Sequence, residues 1–159
     1  MRLIASAIAF SILGSLSALA EPLVSQQDYI DDTGMLKVTL PAGVVEISMN
    51  GVEGYGLFIY AGSDEVLMES AHIPRLLKIY QNSALLELPT DTSACPIMFA
   101  WVTYDAAGLR ASEEFGTCAE DANYETTDTG PVVSMEKPNS PGTTVSYRYD
   151  EASGKISEF

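Results

Sequence analysis

The chain has one histidine, two cysteines and one tryptophan among 159 residues. These shortages exclude a good deal. His72 alone gives little scope for a nucleophile–base pair, and no serine stands in a G-x-S-x-G elbow. One histidine and two cysteines make a poor zinc set. The acidic cluster at Asp28, Asp31 and Asp32 lacks the spacing and glycine of a calcium loop. Gly51, Gly54 and Gly56 do not follow G-x-G-x-x-G, and no amphipathic helix comes after them. No metal, cofactor or catalytic residue is therefore expected. Cations are scarce as well: 8 Lys and Arg against 22 Asp and Glu leave a formal charge of −14. That charge argues against nucleic acid and anionic membrane surfaces as partners. It permits a basic protein partner, although acidic surfaces also serve solubility alone.

What is present begins with a leader. Arg2 supplies a short positive start, an apolar run extends from Leu3 to Leu16, and Ala18-Leu19-Ala20 is a small-x-small cleavage site. The reading is a signal peptide over 1–20 with a mature chain from Glu21. Loss of Arg2 takes the charge from −14 to −15. No cysteine stands at the cleavage point, as a lipoprotein would need. No later stretch is long and apolar enough to span a bilayer, so no membrane insertion is expected after cleavage. The expected location is periplasmic or secreted, where two cysteines favour one disulfide, Cys95–Cys118.

Residues 21–34 form a polar N-terminal segment, and 35–159 read as a single β domain. Met35–Leu40 alternates Leu36, Val38 and Leu40 with Lys37 and Thr39. Val44–Met49 alternates in the same way, and Asn50-Gly51 is a hairpin signal. Tyr55–Tyr60 and Glu65–Glu69 make a further pair. Ile73–Gln81 fits helical spacing, but Leu77–Gln81, Asn82-Ser83 and Ala84–Leu88 read better as a hairpin. Residues 119–130 read as a long loop. Pro131–Glu136, Thr143–Tyr149 and Lys155–Phe159 complete about ten short strands. The pattern is that of an all-β antiparallel sandwich or barrel with one disulfide-stapled hairpin.

That hairpin runs from Cys95 to Cys118. Asp105-Ala106-Ala107-Gly108 is a turn signal. With Ala106 and Ala107 as the loop, facing residues have numbers summing to 213. Val102 then faces Ala111, Met98 faces Phe115, and Cys95 faces Cys118. A bulge at Gly108 would slip this register by one. In it, Met98, Val102, Tyr104, Leu109, Ala111 and Phe115 share one face. Cys95, Ile97, Phe99 and Trp101 share the other, opposite Arg110, Ser112 and Glu114. Either the first strand is central and covered on both sides, or Phe99 and Trp101 form an exposed anchor rimmed by charge. The second option makes Phe99, Trp101, Arg110, Glu113 and Glu114 a candidate binding surface.

The Cys95-Pro…Trp101-Val-Thr…Phe115-Gly-Thr-Cys118 stretch resembles one in small exported proteins of Gram-negative bacteria without assigned function. The resemblance implies a periplasmic β-protein and carries no active-site residues. Thr103–Arg110 and Arg148–Lys155 resemble each other and the Tyr-Asp…Gly unit of secreted Tyr-Asp repeat proteins. Bacterial lysozyme inhibitors are also small, stapled periplasmic β-proteins, some with a Ser-Gly-x-x-Tyr loop; here Ser157 follows Ser153-Gly154-Lys155-Ile156. Three functions stay open: a protein-binding or envelope accessory protein, an inhibitor or immunity protein against a basic enzyme or toxin, and a carboxylate-based glycan hydrolase.

Overall fold

The computed structural model describes residues 34–49, 56–90 and 92–159. The leader, nearly all of the polar segment 21–34, the Asn50-Gly51 signal, Gly54 and Tyr55 lie outside them. The described chain is all β, with twelve strands rather than about ten. They form three open, four-stranded antiparallel sheets, each a simple meander. β1 (Met35–Leu40), β2 (Gly43–Met49), β3 (Leu57–Ala61) and β4 (Asp64–Met68) make the N-terminal sheet. β5 (Arg75–Tyr80), β6 (Ser83–Pro89), β7 (Ile97–Asp105) and β8 (Gly108–Ala111) make the middle sheet. β9 (Ala122–Thr127), β10 (Gly130–Lys137), β11 (Ser140–Asp150) and β12 (Lys155–Glu158) make the C-terminal sheet.

Side-chain alternation sets the layering. Along β6 and β7 the residues at Ala84, Leu86, Leu88, Ala100 and Val102 pack against Leu36, Val38, Ile47, Leu57 and Ile59 of the N-terminal sheet. Their neighbours Leu85, Phe99 and Trp101 pack against Val133, Met135, Tyr147 and Tyr149 of the C-terminal sheet. The middle sheet thus lies between two cores and is apolar on both faces. Near-continuous apolar runs are what a strand covered on both sides requires. The outer sheets need only one apolar face, which is why Leu36, Val38 and Leu40 are buried while Lys37 and Thr39 are exposed.

Three expectations are corrected. Residues 119–130 are not one long loop, because β9 pairs with β10 across the whole of Ala122–Thr127. It is an edge strand whose contacts with the core come from Ala122 and Tyr124 alone, so its composition reads as loop. In the β5–β6 hairpin Tyr80 pairs with Ser83, which places the turn at Gln81-Asn82 rather than Asn82-Ser83.

The third correction concerns the stapled hairpin. The register of sum 213 holds from Asp105↔Gly108 to Val102↔Ala111. It then slips by one, so that Phe99 and not Met98 faces Phe115. The slip falls at Ser112–Glu114, not at Gly108. Ser112 Oγ accepts from the Trp101 N–H at 2.9 Å and donates to the Glu113 carbonyl at 2.7 Å. A buried hydroxyl thereby satisfies main-chain groups that the extra residue takes out of the ladder. A one-residue slip moves a side chain to the opposite face. Phe115 therefore joins Phe99, at 6.0 Å between ring centroids, and Tyr147 at 5.2 Å. Gly116 and Cys118, both with positive φ (145° and 69°), undo the slip. Cys95 and Cys118 then meet with Cα atoms 4.4 Å apart and are disulfide-bonded.

The staple closes a segment with a sequence separation of 23. Replacing Cys95 and Cys118 together by alanine should lower unfolding free energy by about 3 kcal/mol, through freedom returned to the unfolded chain. Urea denaturation of the oxidised protein and the double variant measures this. A loss below about 1 kcal/mol would show that the strand ends hold without the staple.

Candidate functional site

The five residues of the candidate binding surface do not come together. Phe99 and Trp101 are 1% and 2% exposed, under the C-terminal sheet. This corrects the exposed-anchor alternative: the two rings are core. Trp101 stacks on Tyr149 at 5.3 Å with an 8° interplanar angle. Glu113 is exposed next to the bulge. Glu114 lines an open hollow with Glu69, Ser70, Ala71 and His72, and its Oε1 is buried without a hydrogen-bond partner. Among the described residues, no group of three or more His, Cys, Asp or Glu is placed to hold a metal ion.

Arg110 sits elsewhere, at the end where the tight turns of the three sheets gather. Its guanidinium donates twice to the Asp105 carboxylate, at 3.0 and 2.6 Å, and its Nε donates to the Glu151 carbonyl at 3.0 Å. On the other side of β8, the Leu109 N–H donates to Asp64 Oδ2 at 3.3 Å. One short strand therefore ties the turns of both outer sheets to the middle one. The Asp105-Arg110 bond holds the Asp105 carboxyl below its ordinary value. A bond from Ser153 does the same for Asp150. Both aspartates also accept from the main-chain N–H two residues on, Ala107 at 2.8 Å and Ala152 at 3.0 Å. The two Tyr-Asp turns thus share one local device, the Asx turn.

Behind them runs a buried hydroxyl chain. Ser83 Oγ bonds the Glu151 carboxylate and lies 2.6 Å from Thr103 Oγ1, which lies 2.6 Å from Tyr149 Oη. Ser83, Thr103 and Tyr149 are each 0% exposed. Every hydroxyl in the chain has a partner, which is the condition for a polar seam to be tolerated in a core.

An aromatic-lined opening lies between the middle and C-terminal sheets, beside the edge strands β5 and β9. Lys78 and Tyr80 of β5, Tyr124, Glu125 and Thr126 of β9, Pro131, Val132 and Val133 of β10, and Trp101 of β7 line it. The whole opening offers about 10 Å³ to the centre of a water, room for roughly one. Lys78 Nζ stands 5.7 Å from the Tyr124 ring centroid. Trp101 Nε1 is buried and has no hydrogen-bond partner in the protein. Leaving an indole N–H so costs about 1–3 kcal/mol. Sequence reasoning missed Lys78, Tyr80 and Tyr124. Tyr124 was hidden by reading 119–130 as loop, and three residues so distant in the chain meet only through sheet stacking.

No family model, curated protein or solved structure matches this chain. No described helix is long and apolar enough to cross a membrane.

Burial pushes the phenols of Tyr124 and Tyr149 up to about 12, with Glu87 adding to the first. A raised folded value means that this contribution to stability is present below the ordinary tyrosine value near 10 and is lost as pH rises towards 12. Ultraviolet titration at about pH 11 should therefore find at least two of the eight tyrosines protonated in the native protein and ionised in urea. Equal ionisation in both states would contradict the buried setting of these rings.

Proposed function

We propose that this chain is an exported protein of the bacterial envelope, delivered by the 1–20 leader, that acts by binding another envelope component rather than by catalysis. The observation that carries the reading is the inter-sheet crevice, an opening lined by Tyr80, Tyr124 and Trp101 with Lys78 and Glu125 among its polar residues. Recognition sites commonly combine apolar walls with a few placed polar groups. The disulfide suits an oxidising compartment.

The other two functions have weaker support. For a hydrolase, the crevice offers one carboxylate, Glu125, among its lining residues, where glycoside hydrolysis ordinarily uses two. For an inhibitor of a basic enzyme, an acidic patch on one edge would be needed. Here Asp105 is paired with Arg110, Asp150 closes its own turn and Glu151 is bonded to Ser83. Glu69 and Glu114 line a separate open hollow with His72.

The test is capture from periplasmic extract by the immobilised mature protein and by Tyr124→Ser, at low and high salt. The proposal expects a component retained at high salt by the native protein and lost from the variant. Capture of nothing at either salt would refute it. Capture that vanishes at high salt and ignores Tyr124 would instead favour the acidic-inhibitor reading.

A further inference from the structure

We infer that the free edge of β9 takes an extended, basic segment of a partner protein as an added antiparallel strand. The inference rests on the binding reading above and names the kind of partner and how it lies.

Pro131 identifies the main-chain groups on offer. Thr126 faces Pro131 in the β9–β10 ladder, and proline has no N–H to donate. That pair is therefore a non-bonded one, and bonded and non-bonded pairs alternate in an antiparallel ladder. The bonded pairs are then Asn123↔Ser134, Glu125↔Val132 and Thr127↔Gly130. The N–H and C=O of Ala122, Tyr124 and Thr126 point away from β10, and β9 is outermost in its sheet. Among the described residues no main-chain group bonds to that side of β9.

Free edges are ordinarily blunted by short length, lysine, a bulge or a covering element. The other five edges carry such devices. β8 and β12 span four residues each. β4 lies against β8, β5 slips register between Leu76 and Lys78, and β1 carries Lys37. β9 has six residues in unbroken register, with neither lysine nor proline. It is the edge best suited to strand addition, in which main-chain bonds supply affinity and alternate side chains supply selectivity.

The charge around this edge selects the segment. Residues 119–130 include Glu120, Asp121, Glu125 and Asp128 and no Lys or Arg. All four carboxylates are exposed, and among the described residues none is in an ion pair. Opposite charges facing each other across a strand pair are favourable. On the outer face an added strand would set basic side chains beside Asn123 and Glu125. On the inner face its side chains would meet Tyr124, with Lys78 and Tyr80 close by. Apolar residues fit there, and basic ones would be repelled by Lys78. The segment therefore alternates basic and apolar residues. A folded basic enzyme would meet the carboxylates through side chains alone and leave the β9 main chain unused.

The probe is acetylated, amidated Arg-Val-Arg-Val-Arg-Val, titrated into ¹⁵N-labelled mature protein. The inference expects saturable shifts and slowed hydrogen exchange at the amides of Ala122, Tyr124 and Thr126. In antiparallel addition the valines, on the inner face, turn their N–H groups to β9. N-methylation of the three valines should weaken binding at least about tenfold, and N-methylation of the three arginines less than about threefold. Glutamate in place of the arginines should weaken it at least about tenfold. Unmoved amides at millimolar probe overturn the inference. So does binding that ignores valine methylation, which would leave charge alone as the attraction, or equally tight binding of the glutamate peptide. If extract capture depends on Tyr124 while the probe leaves these amides unmoved, the strand-addition inference fails and the binding reading stands. Methylation-sensitive probe binding without any captured component upholds the edge and refutes the envelope partner.

Discussion

The structure depends on β6 and β7 being covered on both faces. A half-buried sheet needs one apolar face; a middle sheet needs two, and its strands must be apolar at successive positions. Leu85 and Leu86 point to opposite cores, as do Ala100 and Trp101, and all four are 2% exposed or less. Truncating Trp101 to alanine would be expected to cost on the order of 3–5 kcal/mol, a large part of the stability of an ordinary domain. The outer sheets have their buried faces because the middle sheet offers each of them a surface.

Two kinds of fastening hold the layers in register. At the turn end, Arg110 and Leu109 of the short strand β8 reach Glu151 on one side and Asp64 on the other. Between the middle and C-terminal sheets, the Ser83–Thr103–Tyr149 chain fixes where the layers meet, since fully paired buried hydroxyls tolerate little sliding. At the opposite end of β7 the disulfide ties Cys95 to Cys118. The crevice is what this registration leaves open, where Tyr124 reaches inward but β9 does not close over Lys78 and Tyr80.

Much of the architecture was legible in the sequence because it rests on local rules. Period-two alternation marks β1 and β2, and the apolar runs through Leu85 and Trp101 point to a covered strand. Turn chemistry at Asp105–Gly108 placed one hairpin, and the cysteine spacing placed its staple. The rest depended on tertiary choices. β9 carries few apolar residues because it is an edge, so its composition resembles a loop. The bulge after Ala111 rests on one serine hydroxyl taking over main-chain bonding, and nothing in the residue types nearby announces it. That bulge turned Phe115 over and helped bury Phe99 and Trp101, which changed them from a candidate surface into core. The candidate site was legible only in part: its tryptophan stood out, while Lys78, Tyr80 and Tyr124 become its neighbours only when two sheets stack.

Amide hydrogen exchange, resolved by residue under native conditions, tests the two-sided burial most directly. If the middle sheet is the shared core, the amides of Leu85, Leu86, Ala100, Trp101 and Val102 exchange only through global unfolding, while those of the edge strand β9 exchange through local opening many times faster. Exchange of β6 and β7 as fast as that of β9 would contradict a middle layer and with it the stacking that forms the crevice.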